Sequence, residues 1–203
     1  MIATLDRRPL SSTRRPLVAT VIACGAPDRG DDGAAAAAIA TLDPEGLAGI
    51  RVRIVNHLRV EELLDAAELG PVVVADAAVG LPAGVVAVIP FDHLVRVARN
   101  VRVRSSHEMP VADAVGLAEM LLRRPLAGAV VALGAGTVAH GAPLSEPVRA
   151  ALPRFALAIV RAAGGEARST PASVPEPRTC RTAGDPVTAG PPRDRERPAR
   201  WDR

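Results

Sequence analysis

The chain has 203 residues, 48% of them hydrophobic, and a net charge of +3 from 25 basic and 22 acidic side chains. That suits one core-forming domain with extensions, and without a basic stripe interleaved with aromatics it sets nucleic-acid binding aside. No apolar run approaches the ~20 residues of a membrane span, and two lone cysteines, Cys24 and Cys180, exclude a disulfide framework and a thiolate zinc site.

Aromatic residues make up only 1%, so the core must be built from Ala, Val, Leu and Ile. Every basic residue is Arg, which reads as a compositional habit of the source, since no surface needs to exclude Lys. Residues 1–15 are polar and Arg-rich and read as a flexible leader. Arg14-Arg15-Pro16 resembles a twin-arginine export signal, and Val21-Ile22-Ala23-Cys24 a lipoprotein cleavage site, which would acylate Cys24. The apolar stretch is short, however, and cleavage at Cys24 would delete the strand that presents the residues that follow. The preferred reading is a cytoplasmic protein.

Residues 17–24 form a nearly continuous apolar run, as in a strand buried on both faces. The breaker-rich turn Gly25-Ala26-Pro27-Asp28-Arg29-Gly30 follows, and Asp31 or Asp32 opens an Ala-rich helix expected to reach about residue 42. Residues 50–55 alternate Arg with apolar side chains and predict a half-exposed strand, then residues 61–69 a short helix. Residues 72–76 read as a central strand ending on Asp76, residues 85–89 as another strand, and residues 109–122 as a helix after a polar stretch. A strand at 129–133 and a helical region at 144–163 follow, with Pro153 expected to bend the helix. From residue 164 the composition shifts: seven of the 19 prolines fall there, and the stretch to 203 reads as a disordered tail. Strands alternating with helices predict an α/β three-layer sandwich with a largely parallel central sheet over residues 16–163.

Three ionisable positions stand where such folds build sites, beyond the carboxyl ends of strands. They are the Asp31-Asp32 pair, Asp76, and His107 in Ser105-Ser106-His107-Glu108. Two carboxylates and an imidazole can bind zinc or nickel and leave coordination positions open for a carbonyl or water. Each residue has a plainer role too: Asp31 or Asp32 as a helix cap, Asp76 closing a turn, His107 at the surface or the start of a helix. His57, His93 and His140 compete for the imidazole role. His93 and His140 fall in expected loops, and His57 follows an edge-like strand. A phosphate loop fits poorly, because the spacing fails both nucleotide fingerprints and two adjacent Asp repel a phosphate. No glycine-flanked nucleophile elbow supports a serine hydrolase, and Cys24 within a strand reads as inert packing.

Four segments, taken together, resemble one family. Gly25-Ala26-Pro27-Asp28-Arg29-Gly30-Asp31-Asp32-Gly33 is similar to the opening motif of hydrogenase maturation proteases, G-N-x-x-x-x-D-[DE]-G. Val73-Val74-Ala75-Asp76-Ala77 is similar to their central strand, Ser105-Ser106-His107-Glu108 to their histidine segment, and Gly141-Ala142-Pro143-Leu144-Ser145-Glu146-Pro147-Val148 to the stretch before their last helix. The resemblance runs in order from about residue 17 to 163.

It implies an α/β sandwich and a monomeric, metal-dependent aspartic-type endopeptidase. Such an enzyme removes the C-terminal extension of a nickel–iron hydrogenase large-subunit precursor after nickel insertion. It also implies that Asp32, Asp76 and His107 contact the metal, that Asp31 supports the loop, and that the metal is nickel presented by the substrate or another divalent ion. The chain departs from the pattern at three places. Ala26 replaces the motif's Asn, Asn56-His57-Leu58-Arg59 replaces a Gly-rich turn, and Leu133-Gly134-Ala135-Gly136 lacks the acidic residue frequent after the family's sixth strand. These leave open a second class of reading, a non-catalytic metal- or nucleotide-responsive α/β binding protein.

Overall fold

A computed structural model describes residues 19–98 and 109–165. The expected leader, His107 with its neighbours Ser105 and Ser106, and residues 166–203 of the expected tail lie outside the described residues.

Five strands form one sheet in the order β2-β1-β3-β5-β4. β1 (Ala19–Cys24) lies between β2 (Ile50–Val55) and β3 (Val72–Ala78), parallel to both, and β3 is parallel to β5 (Gly128–Gly134). β4 (Val86–Pro90) closes the far edge antiparallel to β5. The chain thus runs from β1 outward to β2, then returns past β1 to β3. The carboxyl ends of β1 and β3 therefore flank the point where the winding reverses, which is where open α/β sheets form a crevice.

Helices cover both faces, as the alternation of strands and helices predicts. α1 (Ala34–Ala40) and α5 (Glu146–Ala163) lie on one face, where Val21, Ala23, Val73 and Val131 meet Phe155 and Ile159. On the other, α2 (Val60–Ala67), α3 (Phe91–Ala98) and α4 (Val111–Leu122) enclose Ile22, Val72 and Val74 with Leu63, Phe91 and Val115. Successive side chains of a strand point to opposite faces, so β1 feeds both cores and is buried throughout. The chain has only two Phe, and the fold places one fully buried in each core. Truncating either to Ala is expected to cost about 3–5 kcal/mol.

β2 holds α2 through a buried charge: Glu62, 5% exposed, lies 2.7 Å from Arg53 and 3.0 Å from Arg59. A carboxylate so deep is tolerated only because it is paired.

Several boundaries differ from the sequence reading, each for a local reason. The helix expected at Met109 starts at Val111, because Pro110 disfavours helical geometry for the residue before it. β3 continues past Asp76 to Ala78, since β5 offers Leu133 and Gly134 as partners for the last two residues. α3 went unpredicted, so His93 lies exposed on a helix instead of in a loop. The helix after the Asp pair is divided: Gly30–Gly33 is a single 3-10 turn, and α1 begins only at Ala34. β1, which removal of a signal segment at Cys24 would delete, is an interior strand of the sheet. Among the described residues no helix is long and apolar enough to cross a membrane.

Candidate active site

After Cys24 the chain reverses sharply and folds back on itself through residues 25–33. Gly25, at φ 115°, occupies backbone space that L side chains rarely adopt, and a Cβ there would overlap the Asp32 carbonyl oxygen. Gly33 packs so closely that a Cβ would sit 2.8 Å from Pro27 Cα. Both glycines of the motif are therefore required by close approach. The tight turn sends the adjacent Asp31 and Asp32 side chains to different destinations.

Asp31 is fully buried. Its Oδ2 accepts hydrogen bonds from Gly136 N (2.7 Å), Thr137 N (2.9 Å) and Ser145 Oγ (2.8 Å), and its Oδ1 accepts one from Ser145 N at 2.6 Å. In return, Asp31 N donates to Thr137 O at 2.8 Å, and Gly141 N donates to Asp28 O at 2.7 Å. Burial by itself raises the Asp31 pKa, but the donors from Ser145, Thr137 and Gly136 outweigh it and hold the carboxyl below its ordinary 3.8. The side chain ties the first turn to the loop between β5 and α5.

The plainer expectation, a helix cap, is overturned for both acids, since neither the 3-10 turn nor α1 has a side-chain cap bond. Ser145 precedes α5 at the capping position yet makes no cap bond either, because its hydroxyl is engaged with Asp31.

Asp32 is half-buried, and its Oδ2 accepts from Ala26 N at 2.8 Å. The position where the family motif has Asn thus contributes a backbone donor that Ala supplies equally well. Asp76, within β3, accepts from Ala77 N at 2.8 Å through Oδ1. Both carboxylates line one cleft of about 290 Å³ at the carboxyl ends of β1 and β3. Cys24 at its floor registers their proximity: burial first, then the charges of Asp76 and Asp32, push its thiol far up, so it stays protonated and unreactive.

Among the sequence-predicted residues, the structure brings Asp32 and Asp76 to this cleft together with His57, which follows β2. His140 lies in a turn, 3.2 Å from Asp28 through Nδ1, and is largely exposed. Among the described residues no three His, Cys, Asp or Glu side chains are gathered closely enough to hold a metal ion. Two carboxylates lining one cleft can serve a divalent cation that brings further ligands with it. Arg29, Met109 and Val138 also line the cleft and were not singled out from the sequence. Arg29 belongs to the opening turn, but nothing in its spacing marks it.

No protein-family model matches the sequence, and no curated protein matches it. Solved structures do. The NiFe hydrogenase maturation protease HybD from Thermococcus kodakarensis superposes with a TM-score of 0.52 at 22% identity, over 69% of this chain and 95% of that one. The hydrogenase maturating endopeptidase HybD from E. coli gives 0.57 at 18% identity, over 76% of this chain and 96% of that one. This chain therefore has the α/β fold of the hydrogenase maturation endopeptidases, covering nearly the whole of each.

Proposed function

We propose that this chain is a peptide hydrolase that removes the C-terminal extension of a nickel–iron hydrogenase large-subunit precursor. The single observation that carries this reading is the meeting of Asp32 and Asp76 in one cleft at the winding reversal of a fold that solved maturation endopeptidases share. The four motif resemblances point the same way. In this reading Asp32, Asp76 and His107 contact nickel carried by the precursor, so the loaded substrate, and not the empty one, completes the site. A carboxylate then takes the proton of the water that attacks the peptide carbonyl, and the leaving amine accepts a proton in turn. The residues act as a monomer in the cytoplasm, without nucleic acid or membrane.

The chain's own contribution is positional. Asp31 fixes the turn, the Ala26 amide orients Asp32, and the Ala77 amide orients Asp76. Incubation with a nickel-loaded precursor is expected to shorten it at the C-terminus, read by intact mass. Equal shortening by Asp32→Ala and Asp76→Ala would remove the mechanism. Metal binding by the wild type with no cleavage would leave the binding-protein reading in its place.

A further inference from the structure

Beside the cleft runs a second depression of about 560 Å³ between α2 and α4, in the ~300–1,000 Å³ range of ligand sites. Leu58, Val60 and Leu64 line it from the β2–α2 side, and Met109, Leu117 and Leu121 from α4 and the residues before it. His57, Leu58 and Met109 line both the depression and the cleft that holds Asp32 and Asp76, so the two are continuous. Leu121 is 58% exposed and Met109 49%, with Met120 beyond them at 72%. Adjoining apolar side chains left in water on one side of a site mark a surface that a partner covers.

We propose that this trough holds an apolar stretch of the precursor polypeptide adjoining the cleaved bond, and so determines which protein is cut. The inference rests on the endopeptidase reading. An enzyme that cuts a chain gains kcat/KM from contacts remote from the bond, which hold substrate and transition state alike. The trough lies where such contacts are available, because a chain seated over Asp32 and Asp76 can leave the cleft past Leu58 and Met109. Arg59 and Glu61 lie at its α2 end, Arg59 already engaged with Glu62 at 3.0 Å, and six of the nine lining residues are Leu, Val or Met, so recognition there is mainly apolar. Methionine suits this task, since its flexible side chain adapts to varied apolar shapes. A second copy of the chain seated in the trough would cover His57, Leu58 and Met109, and with them the mouth of the cleft.

The probe is a synthetic peptide copying the C-terminal region of a hydrogenase large-subunit precursor on both sides of its processing bond. Leu121→Glu and Leu117→Ser are compared with wild type, and thermal melts show that each variant folds. The wild type and Asp32→Ala are expected to bind the peptide equally, and Leu121→Glu about tenfold more weakly. With nickel-loaded precursor, Leu121→Glu is expected to raise KM with little change in kcat. Undiminished peptide binding by both trough variants overturns the proposal, as does failure of the wild type to bind. A wild-type dimer that Leu121→Glu converts to monomer also overturns it, in favour of a second copy. If the wild type binds the peptide through the trough but never cuts the precursor, the endopeptidase reading fails, and with it the trough's role in choosing what is cut, leaving a peptide-binding surface alone.

Discussion

The two sides of the cleft are built on opposite plans. One side is the 25–33 turn, held by a fully buried carboxylate that takes four hydrogen bonds from the β5–α5 loop. The other is the β2–α2 connection and the residues leading into α4, which open onto the trough where Met109 and, at the far end of α4, Leu121 face water. Buried hydrogen bonds to a charge define a single geometry, because any displacement leaves polar groups unpaired. Apolar contacts carry no such directionality and accept partners of differing shape. The stiff side suits chemistry, and the pliable side suits recognition.

The contrast is sharpest between neighbours in sequence. Asp31 and Asp32 carry the same functional group, yet one is sealed inside and the other opens on the cleft. Replacing Asp32 with Ala is expected to lower precursor cleavage about a thousandfold, equivalent to ~4 kcal/mol of barrier. Its thermal midpoint should stay within a few degrees of wild type, because only the Ala26 contact is lost. Asp31→Ala is expected to do the reverse first. It strands buried donors from Gly136, Thr137 and Ser145, at a cost of about 3–5 kcal/mol. At ~2–4 °C per kcal/mol for a domain of this size, the midpoint should fall by roughly 10 °C. A melt unchanged in Asp31→Ala would remove the distinction between the two acids.

Proton linkage gives a second way to separate them. The Asp31 pKa is lower in the folded chain than in the unfolded one, so the unfolded state binds its proton first as pH falls. The stability it contributes is complete above the unfolded value, ~3.9, and declines as pH drops through the lower folded value. The midpoint difference between wild type and Asp31→Asn is therefore expected to hold steady from pH 7 to 5 and to shrink below about pH 4. A difference independent of pH down to 3 would count against the ionised clamp. The smallest effect is Ser145→Ala, which removes the 2.8 Å hydroxyl contact but keeps the amide one. It is expected to cost about 1–2 kcal/mol by denaturant titration, with Ser145→Thr restoring most of it.

Much of the architecture was legible because periodicity is a local property. The run at β1, the Arg-apolar alternation of β2 and the Val-rich β3 each declare their burial in a few residues, and alternation with helices declares the layers. Asp32 and Asp76 were legible as candidates because each follows or lies in such a strand. Phe91–Ala98 escaped notice because a helix of eight residues directly after a strand leaves few turns for a period to show. His107 lies outside the described residues, and its place in the trio remains a proposal.

By itself, then, the sequence determined the α/β alternation, a breaker-rich turn after the first strand, and the candidacy of two carboxylates. Only the tertiary structure shows where each acid's side chain goes. Asp31 finds its partners at Gly136, Thr137 and Ser145, more than a hundred residues along the chain, and such long-range hydrogen bonds leave no periodic trace. Sheet order decided that the ends of β1 and β3 are neighbours, so that Asp32 and Asp76 share a cleft. The same packing set α2 beside α4 and opened the apolar trough between them.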